Sequence, residues 1–110
     1  MRDESPLGAF EEQVMLAVVH AALDASGMSV RREIETRTGR EVAIGAVYAT
    51  LDRLEAKKLI ASTRPRAGGA SRRVFHVTAG GAQALAATRG MRDRLWDGVD
   101  LRKLGFKGGA

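Results

Sequence analysis

Residues 42–60 read VAIGAVYATLDRLEAKKLI, and the fold follows from how this stretch divides at helical period. Val47, Leu51 and Leu54 recur on one face, the spacing of a stripe turned towards a core. The opposite face carries Gly45, Ala46, Ala49, Arg53 and Ala56, nearly all of them small. An ordinary surface helix presents long Lys and Glu side chains there. Small residues with a single arginine let a helix backbone lie close against another large surface. The major groove of DNA admits such a helix.

Upstream, residues 7–25, LGAFEEQVMLAVVHAALDA, predict a long helix. Ser5-Pro6 supplies an N-cap and a first-turn proline, and Glu11 and Glu12 sit early, where the helix dipole favours acids. Leu7, Phe10, Val14, Ala17, Val18 and Ala21 form the expected inward stripe. Met15, Leu16, Val19, Ala22 and Leu23 add apolar surface on other sides, with His20 the one polar residue between Val14 and Leu23. A helix apolar nearly all round must be covered on more than one side. A second subunit is the expected cover, with a central position inside one domain as the alternative. Gly27 is expected to close this helix and Ser29 to cap a second, from Val30 to Thr38, which Gly39 ends as a left-handed cap. A short turn then leads to the helix of residues 42–60, giving a helix-turn-helix.

Downstream, LIASTRPR (59–66) and SRRVFHV (71–77) predict two strands joined by a glycine turn at residues 67–70. Arg64, Arg66, Arg72 and Arg73 flank the tip at Gly68 and Gly69, and no acid lies within residues 60–77. A narrow minor groove attracts arginine; a solvated arginine hairpin is the plain alternative. Thr78 caps a last helix, residues 79–99, on which Leu85, Thr88, Met91, Leu95 and Val99 form a narrow seam. Gly80, Gly81 and Gly90 each weaken that helix by roughly 1 kcal/mol relative to alanine, so it needs a partner surface. Three helices and a hairpin in this order are a mostly α winged helix-turn-helix followed by a C-terminal dimerisation helix. The expected division is 1–78 for the winged domain, with its first helix also in the dimer interface, 79–100 for the dimerisation helix, and 101–110 for a flexible tail.

Composition narrows the function. At 110 residues the chain makes one domain. With no cysteine, disulfides and cysteine-ligated metal are excluded. No run of 18 apolar residues spans a membrane, and the acidic start MRDESPLGAF is unlike a signal peptide, so a cytoplasmic protein is expected. The net charge of +5 is uneven: residues 1–30 carry −4, 31–77 carry +6 and 78–110 carry +3. Positive charge gathered on the central segment points to a polyanion. An enzyme is not expected, because two histidines and no nucleotide-binding glycine fingerprint offer little chemistry; nor is any cofactor or metal. The rival is a winged-helix module that docks protein without DNA, but such a module has no need of four arginines around a glycine tip. Duplex RNA fits less well, since a helix cannot enter its deep major groove.

The run Gly45-Ala46-Val47-Tyr48-Ala49-Thr50-Leu51-Asp52-Arg53-Leu54-Glu55, with Phe75, Thr78 and Gly81 after the hairpin, resembles the PadR-like transcriptional regulators over about residues 7–99. The resemblance implies a dimeric DNA-binding regulator, usually a repressor, of the short form that ends in one dimerisation helix. The chain departs from the family where Ala43-Ile44 replaces Ser-Pro before the glycine, losing a cap of about 1 kcal/mol. It departs again where Lys58 replaces a glycine and must take a positive φ if the turn is kept.

The expected DNA-binding residues are Gly45, Ala46, Tyr48, Ala49 and Arg53 on the helix and Arg64, Arg66, Gly68, Gly69, Arg72 and Arg73 on the hairpin. Arg53 suits a bidentate pair with guanine; a phosphate contact or a salt bridge to Asp52 or Glu55 are its alternatives. Ala46 and Ala49 can meet thymine methyls. Tyr48 lies between the buried and outward faces, its ring expected to pack while its hydroxyl reaches a phosphate, with a purely structural tyrosine as the alternative. The arginines of the hairpin position the protein on the backbone. Some relatives bind flat aromatic effectors at the dimer centre, which makes Trp96 and Met15 candidates for such a site, with simple packing as the alternative.

Overall fold

The computed structural model of the chain describes residues 7–64 and 73–108. The Ser5-Pro6 cap, Arg66, Gly68, Gly69, Arg72 and the turn of the hairpin lie outside them. In chain order come α1 (Ala9–Ala21), α2 (Gly27–Thr38), α3 (Ile44–Ala56), β1 (Ile60–Thr63), β2 (Val74–Val77) and α4 (Ala79–Trp96). The strands pair antiparallel with Ile60 opposite Val77 and Thr63 opposite Val74. Among the described residues there are also two single turns of 3-10 helix, Ala22–Asp24 and Leu101–Leu104.

The core lies where α1, α2, α3 and the hairpin meet. Val14, Met15, Ala17 and Val18 of α1 pack with Val30 and Ile34, with Val47, Leu51 and Leu54, and with Ile60 and Phe75. The stripe on α3 is therefore as expected, and Thr50 beside it is buried. Met15 is 0% exposed. That corrects its expected place at a dimer or effector site: the helix rotates it into its own core, so it is unavailable to a ligand or a second copy. Leu16, Val19 and Leu23 do remain outside, Leu23 at 95% exposure.

Helix ends differ from expectation where side chains compete for the same backbone groups. α1 starts after Gly8, whose N–H donates to Glu11 Oε1 at 3.0 Å. It stops at Ala22, which takes a φ of 55°, and Gly27 does not close it. Gly27 is instead the first residue of α2, and Ser26 is the cap, its hydroxyl accepting from the Ser29 N–H while the Ser29 hydroxyl accepts from the Ser26 N–H. Two serines three apart can each serve as the cap on paper; the reciprocal pair places the first at N-cap and the second at N3. Gly39 closes α2 with a φ of 72°, as expected.

α3 has no side-chain cap at Ala43. Its other end is a Schellman turn: Leu59 N donates to Leu54 O at 3.0 Å and Lys58 N to Glu55 O at 2.9 Å, with Lys58 at a φ of 65°. The strained lysine is thus present where the family commonly has glycine. Residues 101–104 form a 3-10 turn, capped by Asp100 and closed by Gly105, with its side chains exposed. Among the described residues, no helix is long and apolar enough to cross a membrane.

Candidate nucleic-acid interface

The outward face of α3 is as the periodicity required. Gly45, Ala46, Ala49 and Arg53 are exposed and Ala56 is at the end of the same face, and no heavy atom lies within 4 Å of where a Cβ would stand on Gly45. Tyr48 sits at the rim. Its ring lies over Gly27, where an added Cβ would fall 2.4 Å from the ring carbons. Glycine at the start of α2 thus lets α3 cross it closely, with the tyrosine as the wedge. Packing is settled for the ring, while the residue stays partly open to solvent.

A second set of contacts ties α3 to the hairpin. Glu55 accepts from Ser62 Oγ at 2.7 Å and from Arg73, and Arg73 Nη1 donates to Asp52 Oδ1 at 3.1 Å. The guanidinium also lies over the Phe75 ring, 4.8 Å from its centroid. Arg73 was expected on phosphate; here it clamps β2 to the helix and fixes where the wing leaves it. Arg64 is exposed at the end of β1. Arg53 forms its ion pair with Glu11 of α1, at 3.4 Å, and not with its sequence neighbours Asp52 or Glu55. Lys57 joins the same carboxylate at 3.2 Å. Neither Glu11 nor the Arg73 clamp was identifiable from sequence, because the partners are 18 to 46 residues apart.

These contacts act on the carboxyls. The Gly8 N–H holds Glu11 below its ordinary value of 4.5 against partial burial, with Lys57 and Arg53 helping. Glu35 is lowered chiefly by the Val42 N–H in the turn between α2 and α3, and Glu55 chiefly by the Ser62 hydroxyl and then by Arg73. A lowered folded value means stability that is full above about 4.5 and lost as pH falls below it. Glu55→Gln is expected to destabilise the protein at neutral pH by up to about 1 kcal/mol, the range of partly screened pairs. Chemical denaturation should show the gap to the wild type closing below pH 4.5.

α4 leaves the body after its first half. Thr88 is buried and accepts from Leu7 N at 2.9 Å, Leu85 packs on the core, and Arg92 pairs with Glu12 at 2.7 Å. So part of the seam is covered by α1 of the same chain. Beyond it Leu95, Trp96 at 57% exposure, Val99, Leu101, Leu104 and Phe106 are exposed.

The transcriptional regulator PadR-like family matches residues 15–87. The chain belongs to this family. It is 37% identical over 78 residues to the transcriptional regulator Rv3488 of Mycobacterium tuberculosis, spanning 69% of this chain and 72% of that protein. Its fold is similar to that of RosR from H. salinarum, with a TM-score of 0.71 at 23% identity over 92% of this chain and 87% of that one. A winged-helix DNA-binding protein from STIV shares the fold at a TM-score of 0.66 and 16% identity, over 86% of this chain and 99% of that one. As a PadR-like protein, the chain is a DNA-binding transcriptional regulator with a winged helix-turn-helix fold.

Proposed function

We propose that this regulator acts as a homodimeric repressor that reads a pseudo-palindromic duplex in the cytoplasm, and that it is a binding protein and no enzyme. The carrying observation is the open Gly45-Ala46-Ala49-Arg53-Ala56 face of α3 beside a hairpin that Arg73 holds in place. α3 enters the major groove backbone-first, Arg53 reads a guanine edge, and Ala46 and Ala49 meet thymine methyls. Arg64, Arg66 and Arg72, with the Gly68-Gly69 tip, hold backbone or minor groove. Arg73 positions the wing. With so few long polar readers on the helix, DNA shape supplies part of the selectivity.

The exposed Leu16 and Val19 of α1, Leu23 in the turn after it, and the exposed end of α4 support the second copy. Two half-sites then lie about one helical turn, ~34 Å, apart. A planar aromatic effector, where one acts, meets the exposed Trp96; Met15 has no part in it.

A gel-shift titration against the intergenic DNA beside the gene tests this reading. Log affinity is expected to fall linearly with log salt. Replacing Arg66 and Arg72 together by glutamine should make the slope shallower by roughly two, about 0.9 for each phosphate no longer neutralised. An unchanged slope counts against the wing. Binding that ignores salt counts against DNA altogether.

A further inference from the structure

Glu11 stands where DNA binding has no evident use for an acid. It reaches from the first turn of α1 to the C-terminal half of α3, with its side chain 14% exposed beneath Arg53 and Lys57, each 52% exposed. Oε1 accepts from the Gly8 N–H at 3.0 Å, while Oε2 accepts from Arg53 Nε at 3.4 Å and Lys57 Nζ at 3.2 Å. Two cations on the reading helix therefore have a protein anion behind them and solvent in front.

We propose that Glu11 is a specificity-determining residue that opposes phosphate at the reading helix while leaving Arg53 able to pair with a base. This rests on α3 being the reading helix. A phosphate reaching Arg53 or Lys57 from the solvent side arrives close to the Glu11 carboxylate, and like charges repel. Guanine O6 and N7 carry no net charge, so Glu11 does not reject them in the same way. Arg53 directs Nε to Glu11 and one Nη2 proton to Thr50 Oγ1 at 3.3 Å. Of the five guanidinium protons, three are left by these two bonds, enough for a bidentate pair. Glu11 thus weakens phosphate-only binding more than base-paired binding, and the difference is discrimination.

The experiment compares the full-length wild type with Glu11→Gln on two probes: a random-sequence duplex, and the duplex that the wild type enriches from a random pool. Glutamine keeps the hydrogen bond to the Gly8 N–H, and a thermal melt checks that the fold is intact. Glu11→Gln is expected to bind the random duplex on the order of three- to tenfold tighter and the enriched duplex within about twofold of wild type. Asp97→Asn, which makes the same charge change at the exposed end of α4, should alter neither. Placed in an Arg53→Gln/Lys57→Gln background, Glu11→Gln should lose its effect. No tightening on random DNA, or equal tightening on both probes, overturns the proposal. If the wild type enriches no sequence and binds no duplex, the DNA-binding reading itself fails instead.

Discussion

Gly81→Ala is expected to lower the melting temperature by roughly 4–24 °C. A methyl at this position would lie 2.0 Å from the Leu59 carbonyl oxygen and 2.8 Å from Val77 Cγ1. The carbonyl cannot retreat easily, since it accepts from Thr78 N at 3.1 Å, and Leu59 N closes the turn that ends α3. Lys58 O is held too, by Thr78 Oγ1 at 2.8 Å. Backbone must move to admit the methyl, and overpacking of this kind costs about 1–3 kcal/mol. For a domain of this size each kcal/mol shifts the melting temperature by roughly 4–8 °C. Gly80 is the control. A methyl there would lie 3.8 Å from its nearest neighbours, so Gly80→Ala should gain helix propensity and melt no lower than the wild type. Melts followed by circular dichroism separate the two, and a Gly81→Ala melt within a few degrees of wild type would show that α4 does not seat against Leu59.

Val19→Glu combined with Leu23→Glu is expected to leave the fold intact and to weaken DNA binding about a hundredfold or more. Val19 ends the outer side of α1 and Leu23 follows in the turn after it, both exposed, so no packing among the described residues opposes the change. In the proposed dimer they face the second copy, where two buried carboxylates per subunit would lack partners. A dimer engages its second half-site at a high effective concentration, and losing that link removes about 10²–10⁴ in affinity. Sedimentation at micromolar concentration should find the wild type at twice the mass of the variant. Equal masses would place the interface elsewhere or remove it.

The stripe and counter-face of α3 were legible from residues 42–60 because burial in a helix depends on a period, and a period is a local property. Lys58 was legible through the resemblance alone: the family commonly has glycine there, and the turn is kept with the lysine at a φ of 65°. The helix starts were harder to read. Ser26 and Ser29 both have cap chemistry, and choosing between them takes the angle at which α1 hands the chain to α2. Gly27 looked like a stop and proved to be the space that Tyr48 fills. Gly81 looked like a weak point in α4, yet it is the position that cannot hold a side chain.

Sequence alone was enough for the element order, the small-residue face and the gathering of positive charge at the hairpin. Each depends on residues within a few turns of one another. Only the tertiary structure decided what the charges do. It gave Arg53 and Lys57 to Glu11, Arg73 to Asp52 and Glu55, and Arg92 to Glu12. It also turned Met15 inward and left Leu23 outside. Ion pairs and helix rotation are settled by which elements come within a few ångströms, and a linear chain does not state that distance.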